Sequence, residues 1–228
     1  AAEAELNQGR IDLATFARKT MLMDATRTQI AALLHCDPLE VALTHNTTEG
    51  INIGLLGLDW QPGDEIVTGN TEHEGVLNPV ALLRHRFGVT VHLTDIGLPR
   101  ADPVRELQRV LTPRTKAVAL SHVSWATGMV LPLRALADVA HAAGALMICD
   151  AAQACGMVPA HVYDLGVDVY ACSGQKWLCG PDGTGAVFIR QDRWETIHQT
   201  YMGYPGLKAR MNRTDAVFTH GAGARRYE

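Results

Sequence analysis

Val167-Asp168-Val169-Tyr170-Ala171-Cys172 is followed at once by Ser173-Gly174-Gln175-Lys176-Trp177-Leu178 and then by the turn Gly180-Pro181-Asp182-Gly183. A short run that is apolar at nearly every position reads as a strand buried on both faces, and such strands belong to sheets covered by helices on both sides. At its exit the chain becomes small and polar and presents one lysine. A lysine held beside hydroxyl and glycine residues is what a Schiff base to a carbonyl group requires. The alternative for Lys176 is an ordinary solvated charge, so the rest of the chain has to decide.

The same pattern recurs outward from this stretch. β-rich runs at Val41 to Thr44, Glu65 to Gly69, Val89 to Thr94, Lys116 to Ser121, Ala145 to Cys149, Asp168 to Cys172 and Gly185 to Arg190 alternate with helical patterns. The helices lie near Glu49–Leu56, Gly75–Phe87, Pro103–Leu111 and Pro132–Ala143, the last two each opened by a proline in the first turn. This alternation predicts an α/β fold, with a mainly parallel seven-stranded sheet flanked by helices. A helical N-terminal segment over residues 1–20 is expected to precede one large domain over 21–228, which begins with a second apolar-periodic stretch from Asp24 to His35. Residues from Thr200 to Glu228 read as loop. Neither end of the chain closes on a complete element, so residues are expected before Ala1 and a small C-terminal domain beyond Glu228.

Composition excludes several classes of function. The 228 residues carry a net charge of -4 with Lys and Arg scattered, which leaves no basic stripe for nucleic acid. No apolar run approaches the roughly 20 residues of a membrane span, and nothing resembles a signal peptide, so the cytoplasm is the expected compartment. The five cysteines are odd in number and form no C-x-x-C pair, against both a disulfide framework and a zinc site; no metal is expected. Cys149 and Cys172 read as buried small hydrophobes.

In open α/β sheets ligands bind at the carboxyl ends of the strands, so the residues that follow each strand matter most. His45-Asn46-Thr47-Thr48-Glu49-Gly50 opens a helix whose free N–H groups suit a phosphate, or is an ordinary threonine cap. Asn70-Thr71-Glu72-His73-Glu74 offers an imidazole to a flat ring, or an exposed loop histidine. His122-Val123-Ser124-Trp125-Ala126-Thr127-Gly128 either lines a pocket or packs Trp125. Asp150-Ala151-Ala152-Gln153 leaves a carboxylate at the end of an apolar strand, at a cost of several kcal/mol unless a cation or hydrogen-bond donor meets it. A protonated pyridine nitrogen is such a partner; a cap on the next helix is the alternative. Together with Ser173, Gln175 and Lys176 these groups supply a phosphate cradle, a stacking ring, a carboxylate for a pyridinium and an aldehyde-capturing amine. Those are the needs of pyridoxal 5'-phosphate.

The sequence also resembles the class V aminotransferase-like, fold-type I pyridoxal-phosphate enzymes, which include cysteine desulfurases, cystine C–S lyases and isopenicillin-N epimerase-like proteins. The resemblance runs from about Met21 to Glu228. It is carried by Asn46-Thr47-Thr48-Glu49-Gly50-Ile51-Asn52, Glu72-His73, Ser121-His122-Val123-Ser124, Asp150-Ala151-Ala152-Gln153, Ser173-Gly174-Gln175-Lys176 and Arg226-Tyr227-Glu228. It implies that Thr47 and Thr48 bind the cofactor phosphate, that His73 stacks on the ring, and that Asp150 pairs with the ring nitrogen. It further implies that Gln153 reaches the ring hydroxyl, that Ser173 and Gln175 hold the phosphate, and that Lys176 forms the internal aldimine. Two positions depart from the family pattern. Gln175 stands where a histidine is usual, and an amide still donates to phosphate. Trp125-Ala126-Thr127-Gly128 stands where desulfurases show Asn, closer to the C–S lyase branch.

With an amino-acid substrate, Lys176 would be displaced and its amine freed to remove the α-proton, with His73 and Asp150 as the other catalytic groups. The resemblance implies a homodimer and most closely a cysteine or cystine C–S lyase that releases pyruvate and ammonia. Cysteine desulfurase, aminotransferase and epimerase activities are alternatives on the same cofactor. The desulfurase nucleophile and the carboxylate-gripping arginine would lie beyond residue 228, and Cys179 does not match the family's cysteine. A nucleotide-binding dehydrogenase is the alternative of another class, but no G-x-G-x-x-G follows the first strand. The Gly180-Pro181-Asp182-Gly183-Thr184-Gly185 cluster precedes a strand instead of opening a helix.

Overall fold

A computed structural model describes residues 13–208, 214 and 217–228. Its centre is one seven-stranded sheet: β1 (Val41–Thr44), β2 (Glu65–Gly69), β3 (Thr90–Thr94), β4 (Thr115–Ser121), β5 (Leu146–Asp150), β6 (Val169–Ser173) and β7 (Gly185–Ile189), in the order β1-β7-β6-β5-β4-β2-β3. The strands from β6 through β5, β4 and β2 to β3 pair in parallel, while β7 is antiparallel to both neighbours and restores β1 to the common direction. The expected α/β class and seven-stranded, mainly parallel sheet are therefore present, with every strand end within one residue of its sequence-predicted position.

Strand side chains alternate between two apolar layers, as the period of two requires. Met147, Cys149, Tyr170 and Cys172 face a layer covered by α1 (Leu13–Leu34), α4 (Pro103–Val110), α5 (Leu133–Ala142) and the short α6 (Val162–Leu165). Leu146, Ile148, Val169 and Ala171 face the other, covered by α2 (Thr47–Leu56) and α3 (Glu74–Phe87). Both faces of β5 and β6 are buried, so neither strand shows a polar face in its sequence. α1 runs unbroken through residues 20 and 21, joining the two N-terminal helical stretches, and residues 1–12 of the expected N-terminal segment lie outside the described residues. Pro132 caps α5 from outside its first turn.

Gly50 sets the distance between α2 and the sheet. A Cβ there would lie 2.7 Å from the Cβ of Ala171 and 3.1 Å from that of Val187, so only glycine lets the helix sit this low on β6. The start of α2 is thereby held beside the carboxyl end of β6. The described part of the tail is irregular, with single 3-10 turns at Tyr204–Gly206 and Gly223–Tyr227. Its end is nonetheless anchored, because the Glu228 carboxylate accepts from Arg27 Nη2 at 2.5 Å and from the Leu43 amide at 2.9 Å. All five cysteines are free thiols. Among the described residues, no helix is long and apolar enough to cross a membrane, and no group of three or more His, Cys, Asp or Glu side chains is arranged to hold a metal ion.

Candidate active site

The carboxyl ends of β1, β2, β4, β5 and β6 converge on one pocket of about 180 Å³. Thr47, Thr48, His73, Asp150, Gln153, Ser173, Gln175 and Lys176 all line it, joined by Asn46, Ser121, Val123, Trp125 and Ala152. None of the eight residues singled out from sequence lies elsewhere.

One end is built from hydroxyls at a helix start. The cap of α2 is Asn46, whose side chain accepts from the Glu49 amide, so neither threonine serves as the cap. The Ser173 hydroxyl accepts from the Thr47 amide at 2.8 Å and lies 2.6 Å from the Thr47 hydroxyl. This links the end of β6 to the first turn of α2, where the positive end of the helix dipole favours an anion. His73 caps α3: its Nδ1 accepts from the Gly75 amide at 3.0 Å, which leaves Nε2 as the proton-bearing nitrogen of the neutral ring. Trp125 meets His73 edge to face, with centroids 5.5 Å apart. The indole thus belongs to the pocket wall, although half of it is exposed to solvent.

Asp150 ends β5 at 5% exposure, and its Oδ1 accepts from the Ala152 amide at 2.8 Å. The capping alternative is thus partly realised, as a turn and not a helix. Burial raises its pKa above the ordinary carboxylate value, against the opposing pull of the Ala152 N–H, His73 and Lys176. Lys176 is exposed at the pocket.

Two residues beside the site were given no role from the sequence. Glu72, 5% exposed, lies against the end of β4, where its carboxylate accepts from the Ser121 amide at 3.1 Å and from the Ser121 hydroxyl. Burial pushes its pKa up to about 7, and the nearby Asp150 adds to this. Its position between β2 and His73 marked a loop, and the signal for burial was only its adjacency to the histidine. The second, Trp177, donates its indole N–H to Gln153 Oε1 at 2.9 Å. Behind the site His122 Nδ1 lies 2.9 Å from the Tyr170 hydroxyl, and burial lowers the His122 pKa to about 4, which keeps that ring neutral.

The aminotransferase class-V family model matches residues 6–219. A probable cysteine desulfurase of Methanothermobacter thermautotrophicus is 34% identical over 192 residues, 83% of this chain and 47% of that protein. The cysteine desulfurase CsdA of Escherichia coli is 33% identical over 199 residues, 84% of this chain and 49% of that protein. Among solved structures, the cystine C-S lyase C-DES in complex with its reaction product cysteine persulfide superposes with a TM-score of 0.91 at 32% identity, covering 100% of this chain and 61% of that one. An apo cysteine desulfurase from Thermococcus onnurineus NA1 superposes with a TM-score of 0.85 at 26% identity, covering 96% of this chain and 54% of that one. The chain thus spans about half the length of the curated relatives it matches, and the expected fold-type I architecture holds.

The residues present fit a pyridoxal-type cofactor on three observations. Asp150 is a buried carboxylate with no ion pair among the described residues. Gln175 brings to the pocket lining an amide whose NH2 end can donate to a phosphate. Thr47 and Ser173 place hydroxyls at the start of α2.

Proposed function

Because the chain belongs to the aminotransferase class-V family, we propose that it is the cofactor-bearing part of a pyridoxal 5'-phosphate enzyme that acts on a sulfur amino acid, as a cysteine or cystine C–S lyase. The observation that carries this reading is the convergence of a lysine, a buried aspartate, a histidine and a hydroxyl-lined helix start on one pocket. In it Thr47, Thr48, Ser173 and Gln175 would hold the phosphate. His73 would cover the ring, Asp150 would pair with the ring nitrogen, and Gln153 would meet the ring oxygen. When bound, the cofactor supplies an electron sink for the pair left on the substrate α-carbon. Lys176 would hold the cofactor through its Nζ, and the same amine would take the α-proton of the substrate. Trp125 would brace His73 edge to face from the pocket wall. A homodimer in the cytoplasm is part of the same reading.

Desulfuration to alanine is the second reading, favoured by the names of the curated relatives. Full-length protein supplied with cysteine and with cystine separates the two. Pyruvate and ammonia without alanine support the lyase. Alanine with a persulfide moves the protein to the desulfurases, and transamination products sink both.

A further inference from the structure

We propose that Trp177 is a positioning residue of the cofactor site, whose indole N–H locks the Gln153 side-chain amide with its oxygen turned to Trp177 and its NH2 presented to the pocket. This rests on the reading of the pocket given above. Indole nitrogen is a donor only, so the Gln153 atom that faces it at 2.9 Å has to be the carbonyl oxygen. With that oxygen engaged, the end of the amide left for the pocket is a donor. A donor suits an anionic ring oxygen, whereas a reversed amide would set lone pairs against it.

The backbone is shaped for this contact. Gly156 has φ +91, and a Cβ there would lie 2.9 Å from the Trp177 carbonyl oxygen and 3.0 Å from Leu178 Cδ2. The turn that carries Asp150 and Gln153 therefore packs directly on the loop that carries Lys176 and Trp177. The bond between the two side chains ties the ring-nitrogen partner, the ring-oxygen partner and the lysine into one unit. Trp177 is half exposed, so shielding the pocket from solvent is not its main contribution.

The test is a pH titration of the absorbance of protein loaded with pyridoxal 5'-phosphate, on the native chain, Trp177→Phe, Gln153→Ala and the double variant. A donor to the ring oxygen stabilises its anionic form, so losing it raises the midpoint of the colour change. Trp177→Phe is expected to raise it by roughly half a pH unit, as suits one partly exposed hydrogen bond. Gln153→Ala is expected to raise it at least as much. In the double variant the Trp177 change should add nothing, because Trp177 acts through Gln153. An unchanged midpoint in Trp177→Phe, or an undiminished shift in the Gln153→Ala background, overturns the proposal. Should Trp177→Phe not fold, Gln153→Glu gives the answer with Trp177 intact: it turns an oxygen to the pocket and is expected to raise the midpoint further, and no change there is equally fatal. A native protein that stays colourless with the cofactor defeats the pocket reading itself, an outcome distinct from a yellow protein indifferent to Trp177.

Discussion

The two ends of the parallel strands both bury carboxylates, and treat them in opposite ways. At the amino ends, Asp168 is fully buried before β6, where its oxygens meet His141 Nε2 at 2.7 Å, Arg193 Nε at 2.8 Å, Arg190 Nη2 at 2.9 Å and the Met147 amide at 2.7 Å. Burial pushes its pKa up, but the hydrogen bonds from His141, Arg193 and Met147 outweigh it and the net shift is downward. Glu65, at the start of β2, is held the same way by Thr112, Arg114 and His92, and is likewise lowered. At the carboxyl ends Asp150 and Glu72 have mainly neutral backbone and hydroxyl donors, and both are raised. A buried carboxylate supplied with its own cations belongs to the scaffold. One left without them is kept for a ligand or a proton.

The sharpest way to break this distinction is to neutralise one member of each pair. Asp150→Asn keeps the shape and removes the charge; turnover with the productive amino acid is expected to fall about 10²–10³-fold, while the thermal midpoint stays level or rises. Asp168→Asn strands two arginines and a histidine around a neutral amide, and should cost about 3 kcal/mol in denaturant unfolding with the pocket geometry intact. If Asp150→Asn destabilises as much as Asp168→Asn, the two ends do not differ in kind.

The pH dependence should also run in opposite directions. Asp168 and Glu65 have folded pKa values below their unfolded ones, so their stabilisation is present above the ordinary carboxylate range and is lost as pH falls through the lower folded values. Glu72 is raised from 4.5 to about 7, so its contribution is complete below 4.5 and is lost as pH rises toward 7. Glu72→Gln in cofactor-free protein should therefore flatten the stability curve between those values, by roughly 2–3 kcal/mol across the window. Unfolding midpoints of both proteins at half-unit pH intervals measure this, and parallel curves would contradict it. A smaller effect is expected from Arg114→Ala, which removes the 2.5 Å contact to Glu65 but leaves His92 and Thr112. Because the guanidinium is 70% exposed, about 1 kcal/mol is expected, read mainly as an earlier loss of stability on acidification.

Much of this was legible in the chain, for identifiable reasons. Strands β5 and β6 are buried on both faces, and their composition shows it directly. Asp150, Ser173 and Lys176 were readable because the carboxyl end of a buried strand is where a polar residue needs an explanation. The scaffold carboxylates were not readable as such: Asp168 directly precedes β6, Glu65 begins β2, and their partners Arg190, Arg193 and Arg114 come from turns distant in sequence. Glu72 and Trp177 were hidden differently. Each stands beside a residue with a plainer role, His73 and Lys176, and its meaning lies in a hydrogen bond to another strand end. Sequence spacing shows what a strand end carries, and the register between strands decides what it meets.

The smallest effect should come from Gln175→His, and its contrast with Gln175→Glu tests how far the carboxyl end depends on its ligand. The amide oxygen is buried without a partner among the described residues, so the side chain is poorly satisfied where it stands. Histidine, the residue usual at this place in the resemblance, offers one donor of similar reach and no orphan carbonyl. Gln175→His is therefore expected to leave the dissociation constant for pyridoxal 5'-phosphate within about threefold of the native value, by fluorescence or absorbance titration. Gln175→Glu, nearly identical in shape, sets a negative charge beside the phosphate and should weaken binding more than tenfold. If the glutamate binds as well as the histidine, then position 175 does not face the phosphate, and the pocket is held by Thr47, Thr48 and Ser173 alone.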